Sequence, residues 1–107
     1  MDFLSASVMG VLMVGATHYV DIGAPREAVI FYQDEQLAHM VLPDGAAWSG
    51  VWRLTDTGYH VAWQDGPSGD WRLNYAPGRI GYVNGDGEEL GTISRIVFGN
   101  AESLPSM

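Results

Sequence analysis

Two residue types are missing from this chain of 107 residues: it contains no cysteine and no lysine. Without cysteine there is no disulfide, no thiolate nucleophile and no cysteine-ligated metal, and redox chemistry gives no indication of the compartment. Without lysine there is no Schiff-base amine and no P-loop cation. These absences exclude several classes of enzyme before any pattern is considered.

Positive charge is also scarce. The 5 arginines stand against 13 acidic residues, which gives a net charge of −8. Nucleic-acid phosphates and anionic membrane surfaces attract clustered cations, so neither is an expected partner. Charged residues make up 17% of the chain and hydrophobic residues 47%, a balance typical of a folded globular protein. Residues 1–107 are therefore expected to form a single domain, with strands over residues 16–99 and a tail at residues 100–107.

Residues 1–15 are predicted to form a short helix. Asp2 or Ser5 can cap its start, and Gly15 is placed to end it. The apolar run is too short to span a bilayer, and a secretory signal needs a positive charge before it, whereas the first cation is Arg26. We therefore expect a helix that packs on a sheet; the alternative is the apolar part of a signal segment. The expected packing stripe consists of Leu4, Val8, Val11 and Leu12, with Met9 and Met13 beside it.

From residue 16 onward the apolar pattern changes from helical spacing to alternation, which predicts a mainly β chain. The Asp-Gly and Asn-Gly pairs between the strands favour tight hairpins, because both central residues of a type I′ turn need positive φ. Sequential strands are therefore expected to pair antiparallel in an up-and-down meander. About eight strands would expose two edges unless the sheet closes, so a barrel-like or strongly curled sheet is predicted. The predicted strands span residues 16–22, 28–33, 36–42, 47–54, 59–64, 69–75, 79–84 and 88–98.

An approximate 21-residue hairpin repeat is predicted within this meander. The segment Gly-x-Trp-Arg-Leu appears twice, at residues 50–54 and 69–73. The repeated unit is interpreted as a strand, an Asp-Gly turn and a second strand. The Asp-Gly pairs that set the period are Asp44-Gly45, Asp65-Gly66 and Asp86-Gly87.

Alternation along the strands places most of the aromatic residues on one face. Either these rings fill the core of a small β-domain, or some of them line a partly open pocket that stacks on a planar or apolar ligand. The candidate ligand-binding residues on this face are Trp52, Trp63, Trp71 and Tyr75, within a larger set that includes Trp48, Tyr59 and Tyr82.

The opposite face carries Arg53, His60 and Arg72, one from each of three consecutive strands. We expect them to line up across the sheet as a cationic stripe that suits a carboxylate or phosphate group. The alternative is surface ion pairing with aspartates such as Asp65 or Asp70. His60 between two arginines is also a candidate neutral base, although no partner nucleophile is identifiable.

The three histidines, His18, His39 and His60, are spaced by 21 residues. This spacing puts them on different hairpins, and the sequence contains no HxH, HxxxH or HExxH motif, so no metal site is predicted. No GxSxG motif is present and the carboxylates cluster in turns, so neither a nucleophilic serine nor a glycosidase pair is indicated. No cofactor is expected. An enzyme is the least favoured interpretation, and it would be a small lyase or isomerase with His60 or His39 as its base.

Five short motifs follow one another along the chain: Gly15-Ala16-Thr17, Pro43-Asp44-Gly45, Gly50-x-Trp52, Tyr59-His60-x-x-Trp63 and Gly99-Asn100. In this order they resemble small secreted bacterial β-domains of unknown function. The resemblance implies a β-domain over nearly the whole chain and a periplasmic or secreted location, and it implies no catalytic activity. Such domains often carry a cysteine pair near the positions of His60 and Asp70, which this sequence lacks.

The sequence therefore favours non-enzymatic binding of a small apolar or aromatic ligand through the aromatic face. Arg53, His60 and Arg72 would form a secondary site for an anionic group, provided that their face is sheltered. The alternative function is a protein-interaction module or homodimer that uses an exposed sheet edge or an aromatic patch.

Overall fold

Eight antiparallel strands close into a barrel in the computed structural model of this chain, which describes residues 2–23, 26–56, 58–64, 66 and 68–102. Asp65 of the second Asp-Gly pair and residues 103–107 of the tail lie outside the described residues. The elements are β1 (Asp2–Phe3), α1 (Ala6–Met13), β2 (Ala16–Asp21), β3 (Ala28–Tyr32), β4 (Leu37–Val41), β5 (Ala47–Leu54), β6 (Tyr59–Trp63), β7 (Ser68–Ala76), β8 (Arg79–Asn84) and β9 (Glu89–Phe98).

The barrel closes between its first and last strands. Each strand from β2 to β9 pairs with the next one in the chain, and β9 returns to pair with β2, where Ala16 lies opposite Phe98. The short β1 pairs beside the second half of β7, where Asp2 lies opposite Tyr75. Every barrel strand therefore has neighbours on both sides. The predicted antiparallel meander of about eight strands is confirmed, in its closed form.

The predicted strand positions agree with the structure to within one residue. β5 and β8 have the predicted bounds, and the other six barrel strands begin or end one residue away. Alternation is a local property of extended backbone, so the sequence carries these bounds directly. β1 is absent from the prediction, because two residues are too few to show alternation.

The helix is shorter than predicted and packs on a different face. Ser5 caps its start, since Ser5 Oγ accepts a hydrogen bond from the Val8 N–H at 3.3 Å. Met9 and Met13, four residues apart, are fully buried. Val8 and Val11, which the sequence places in the packing stripe, are instead 44% and 70% exposed. Periodicity does not distinguish the two faces, because nearly every residue of this helix is apolar or small.

The helix covers one end of the barrel, which we call the closed end. Gly15, with a φ of +76°, turns the chain from α1 into β2, and α1 contacts both β2 and β5. The opposite, open end consists of the connections β2–β3, β4–β5, β6–β7 and β8–β9. The described Asp-Gly pairs Asp44-Gly45 and Asp86-Gly87 both lie there, because every second turn of an up-and-down barrel falls at the same end. The repeat as such stays a prediction.

Candidate functional site

An apolar cavity of about 290 Å³ lies inside the barrel toward the open end. All eight barrel strands contribute to its wall, because alternate residues of each strand face inward. None of the described residues that line it carries a charge. The aliphatic part of the wall includes Val20, Ile30, Met40 and Val61.

Three tryptophans form the aromatic part of the wall. Trp48 lies near the start of β5, Trp63 at the end of β6 and Trp71 in the first half of β7, so all three lie toward the open end. Gly66 packs directly on Trp48, since a Cβ at Gly66 would lie 2.3 Å from Trp48 Cζ3. The Trp48 Nε1 atom is buried and has no hydrogen-bond partner among the described residues.

Three buried tyrosines, Tyr32, Tyr59 and Tyr82, form the floor of the cavity. Their rings meet edge to face, with centroids 6.1 Å apart for Tyr32 and Tyr59 and 6.4 Å apart for Tyr59 and Tyr82. The floor is thus built mainly from aromatic carbon.

A directed chain of hydrogen bonds connects this floor to the helix. The Leu12 carbonyl can only accept, so His18 Nε2–H donates to it at 2.9 Å. In the neutral ring Nδ1 is then an acceptor, and the Tyr82 hydroxyl donates to it at 2.9 Å. The Tyr32 hydroxyl in turn donates to Tyr82 at 3.2 Å. Both imidazole nitrogens of His18 are therefore engaged.

Burial keeps the groups of the floor uncharged. Loss of solvation lowers the pKa of His18 to about 4, against the opposing effect of the Leu12 hydrogen bond. Burial also raises the pKa of Tyr32 to about 12 and the pKa values of Tyr59 and Tyr82 well above 10.0. The cavity is therefore neutral at its floor as well as along its wall.

Of the four aromatic residues predicted to form a binding wall, Trp63 and Trp71 line the cavity. Trp52 is only 3% exposed, and its Nε1–H donates to the Asp34 carbonyl at 2.8 Å, toward the closed end. Tyr75 lies opposite Ile80, also toward the closed end, and is 42% exposed. Trp52 and Tyr75 thus lie outside the cavity wall, because alternation gives the face of a residue but not its depth along the barrel. The binding role of the four residues stays a prediction.

Four further aromatic residues complete the cavity. Trp48, Tyr59 and Tyr82 belong to the aromatic set that alternation identifies, so the sequence contained a signal for them. Tyr32 lacks such a signal, because β3 is apolar at consecutive positions and both of its faces look alike.

The predicted cationic stripe lies outside the barrel and is interrupted. Arg53 lies opposite His60, as expected, but Asp70 rather than Arg72 lies opposite His60 on the other side. His60 Nδ1 is 2.9 Å from Asp70 Oδ1, and the Arg72 guanidinium lies 3.6 Å from the centroid of the Phe3 ring. The register of the β6–β7 hairpin decides this pairing, and the sequence does not specify that register.

The three histidines lie in three different environments. His18 is inside the barrel, and His60 is on its outer surface beside Asp70. His39 lies on the outer face of β4 and is buried there. Its Nδ1 is 2.9 Å from Ser49 Oγ and its Nε2 is 2.8 Å from Gln33 Oε1, and burial lowers its pKa. In the part of the chain that the structure describes, no three His, Asp or Glu side chains are grouped so that they could hold a metal ion.

The chain was compared with protein-family models, curated proteins and solved structures, and no family model, curated protein or solved structure matches it. Among the described residues, no helix has the length and apolar character needed to cross a bilayer.

Proposed function

We propose that this protein binds a small apolar or aromatic molecule inside the barrel, without catalysing a reaction. The observation that carries the proposal is the cavity of about 290 Å³, which is uncharged, lined largely by aromatic and aliphatic side chains, and accessible from one end. Ligand pockets in proteins are typically concave and mostly apolar, with few polar groups. An eight-stranded barrel is also wide enough to hold one small ligand.

The chemistry of the lining favours binding over catalysis. Water in an apolar cavity lacks the two to four polar partners that stabilise buried water, so an apolar ligand replaces it at little cost. The titratable groups of the floor are occupied, since both His18 nitrogens and the Tyr82 hydroxyl are held in the hydrogen-bond chain. A general base needs a free acceptor within reach of its substrate.

Two-dimensional ¹H–¹⁵N NMR tests this proposal, because each tryptophan gives its own indole N–H signal. With 2-naphthalenemethanol as the probe, we expect the Trp48, Trp63 and Trp71 signals to shift in a saturable way. The Trp52 signal is an internal control and should stay in place, because its N–H is bonded to Asp34 away from the cavity. Single Trp→Phe variants assign the four signals.

A matched pair of substitutions on β3 provides the structural control. Ala28 lines the cavity, whereas Val29 is its neighbour on the outer face of the strand. Ala28→Phe should weaken binding of the probe at least about tenfold by filling the cavity, and Val29→Phe should leave it unchanged. Absence of saturable shifts in the folded wild-type protein, or an equal loss of binding in both variants, would contradict the proposal.

Self-association is the second candidate, and the exposure of Val8 and Val11 on α1 favours it. Each barrel strand pairs with a neighbour on both sides, so the exposed helix surface rather than an edge of the barrel would carry such a contact. Analytical ultracentrifugation tests this second candidate. A dimer that Val11→Glu dissociates would support self-association, and a monomer at all accessible concentrations would contradict it.

A further inference from the structure

We infer that the ligand is a neutral or cationic two-ring compound and that carboxylates are discriminated against. This inference rests on the proposed function and specifies the class of ligand that the same cavity takes. The arguments come from the size of the cavity, the absence of a countercharge along its described lining and the charge around its opening.

The volume of the cavity sets the size of the ligand. A protein cavity of about 150 Å³ holds one benzene ring. The cavity of this barrel, at about 290 Å³, is close to twice that size. It therefore has room for two fused rings, and the indole rings of Trp63 and Trp71 in its wall suit an aromatic ligand.

Within the described lining there is no cation that could neutralise an anionic ligand. His18 stays neutral, because burial lowers its pKa to about 4. Arg53 and Arg72 lie on the outer face, and the arginine on β8, Arg79, pairs with Glu89 outside the barrel. A carboxylate that enters would lose its hydration without gaining a countercharge, which is costly in an apolar environment.

The charge around the opening acts in the same direction. Apart from Arg26, the charged residues that the structure describes in and beside the open-end connections are acidic. Their combined field attracts cations and repels anions that approach the cavity. The indole rings in the cavity wall can also attract a cationic group. The acidic residues at this end are Asp21, Glu27, Asp44, Asp86, Glu88 and Glu89, of which Glu89 pairs with Arg79.

The test uses three ligands that share the naphthalene ring and differ in charge: 2-naphthalenemethanol, 2-naphthylmethylammonium and 2-naphthoate. At pH 7 and low salt, we expect the neutral and cationic ligands to bind at least about tenfold more tightly than naphthoate. Raising the NaCl concentration to about 0.5 M should weaken binding of the cation several-fold and leave the neutral ligand unchanged. Dissociation constants come from titrations that follow the same indole signals.

Variants that remove acidic charge at one end of the barrel or the other identify the source of the discrimination. The double variant Asp44→Asn, Asp86→Asn removes two charges from the open end, and Asn keeps the side-chain oxygen that accepts from Ala46 N–H at position 44. It should reduce the preference for the cation over naphthoate about threefold. Asp56→Asn, in the β5–β6 connection at the closed end, should leave the preference nearly unchanged.

The outcomes separate the two proposals. If none of the three ligands shifts the indole signals of the folded protein, the proposed function itself fails. If naphthoate binds as tightly as the neutral ligand, the inferred ligand class is overturned while binding in the cavity stands. If Asp56→Asn changes the preference as much as the double variant does, the charge at the opening is not the cause and the inference is overturned.

Discussion

At the scale of single residues, Gly50 and Gly69 show how the same motif serves two purposes. Each begins a Gly-x-Trp-Arg-Leu segment. A Cβ at Gly50 would lie 2.4 Å from the Ala62 carbonyl oxygen and 2.8 Å from Trp63 Cα, both backbone atoms of the paired strand. At Gly69 the nearest atom is Trp71 Nε1 at 3.6 Å, which is an ordinary contact. Glycine is therefore required for close approach of β5 and β6 at the first position only.

Alanine substitution should separate the two glycines. Gly50→Ala should lower the free energy of unfolding by about 2 kcal/mol or more, because backbone must move to admit the methyl group. Gly69→Ala should change it by less than about 1 kcal/mol, because the added methyl group makes an ordinary contact and alanine lowers the entropy of the unfolded chain. Urea unfolding followed by tryptophan fluorescence measures both values. Equal destabilisation of the two variants would contradict the steric argument.

At the scale of elements, only one face of α1 holds the helix on the barrel, although its residues are apolar or small nearly all round. Met9 and Met13 reach into the barrel and are fully buried. The His18 side chain adds a hydrogen bond to the Leu12 carbonyl near the end of the helix. Packing against the closed end, rather than the propensity of an eight-residue helix, therefore stabilises it.

Because only one face of α1 is buried, replacing side chains on its two faces with alanine should change the free energy of unfolding unequally. Met9→Ala should lower the free energy of unfolding by about 2–4 kcal/mol, since it leaves a cavity in the core. Val11→Ala should change it by less than about 0.5 kcal/mol, because Val11 is 70% exposed and alanine favours helix. Thermal unfolding by circular dichroism gives the comparison. Similar losses in both variants would mean that α1 packs on another face.

At the scale of the whole molecule, the neutral core limits the pH range in which the barrel is stable. His18 has a pKa of about 4 in the folded protein and 6.5 when unfolded. The contribution of neutral His18 to the free energy of unfolding is therefore full above pH 6.5 and is lost as the pH falls toward 4. The pKa of Tyr32 is about 12 in the folded protein and 10.0 when unfolded. Its contribution to the free energy of unfolding is therefore full below pH 10.0 and is lost above it. Stability should thus fall on both sides of neutrality.

The acid side of this profile can be assigned to a residue. Between pH 6.5 and 4.5 the free energy of unfolding should fall by about 2–3 kcal/mol from His18, with a contribution of the same sign from His39, whose pKa burial also lowers. His18→Gln, although less stable at pH 7, should lose most of this slope, whereas His39→Gln should retain the His18 part. Urea titrations at a series of pH values measure it. An unchanged slope in His18→Gln would contradict the assignment.

The candidate site was only partly predictable from the sequence. Trp63 and Trp71 were identified because alternation assigns a face reliably. Trp52 and Tyr75 share that face but lie at another depth, which depends on the stagger of strands around the barrel. The pairing of His60 with Asp70 instead of Arg72 depends on register in the same way.

The sequence by itself determined the positions of the strands, their antiparallel order and the faces of the strands that alternate, because these follow from local backbone geometry and turn chemistry. It also determined the acidic charge and the lack of cysteine and lysine. The tertiary structure alone decided that β9 closes on β2, which face of α1 is buried, and which aromatic rings surround the cavity. These features depend on contacts between residues far apart in the chain, and no local pattern encodes how such segments are offset against each other.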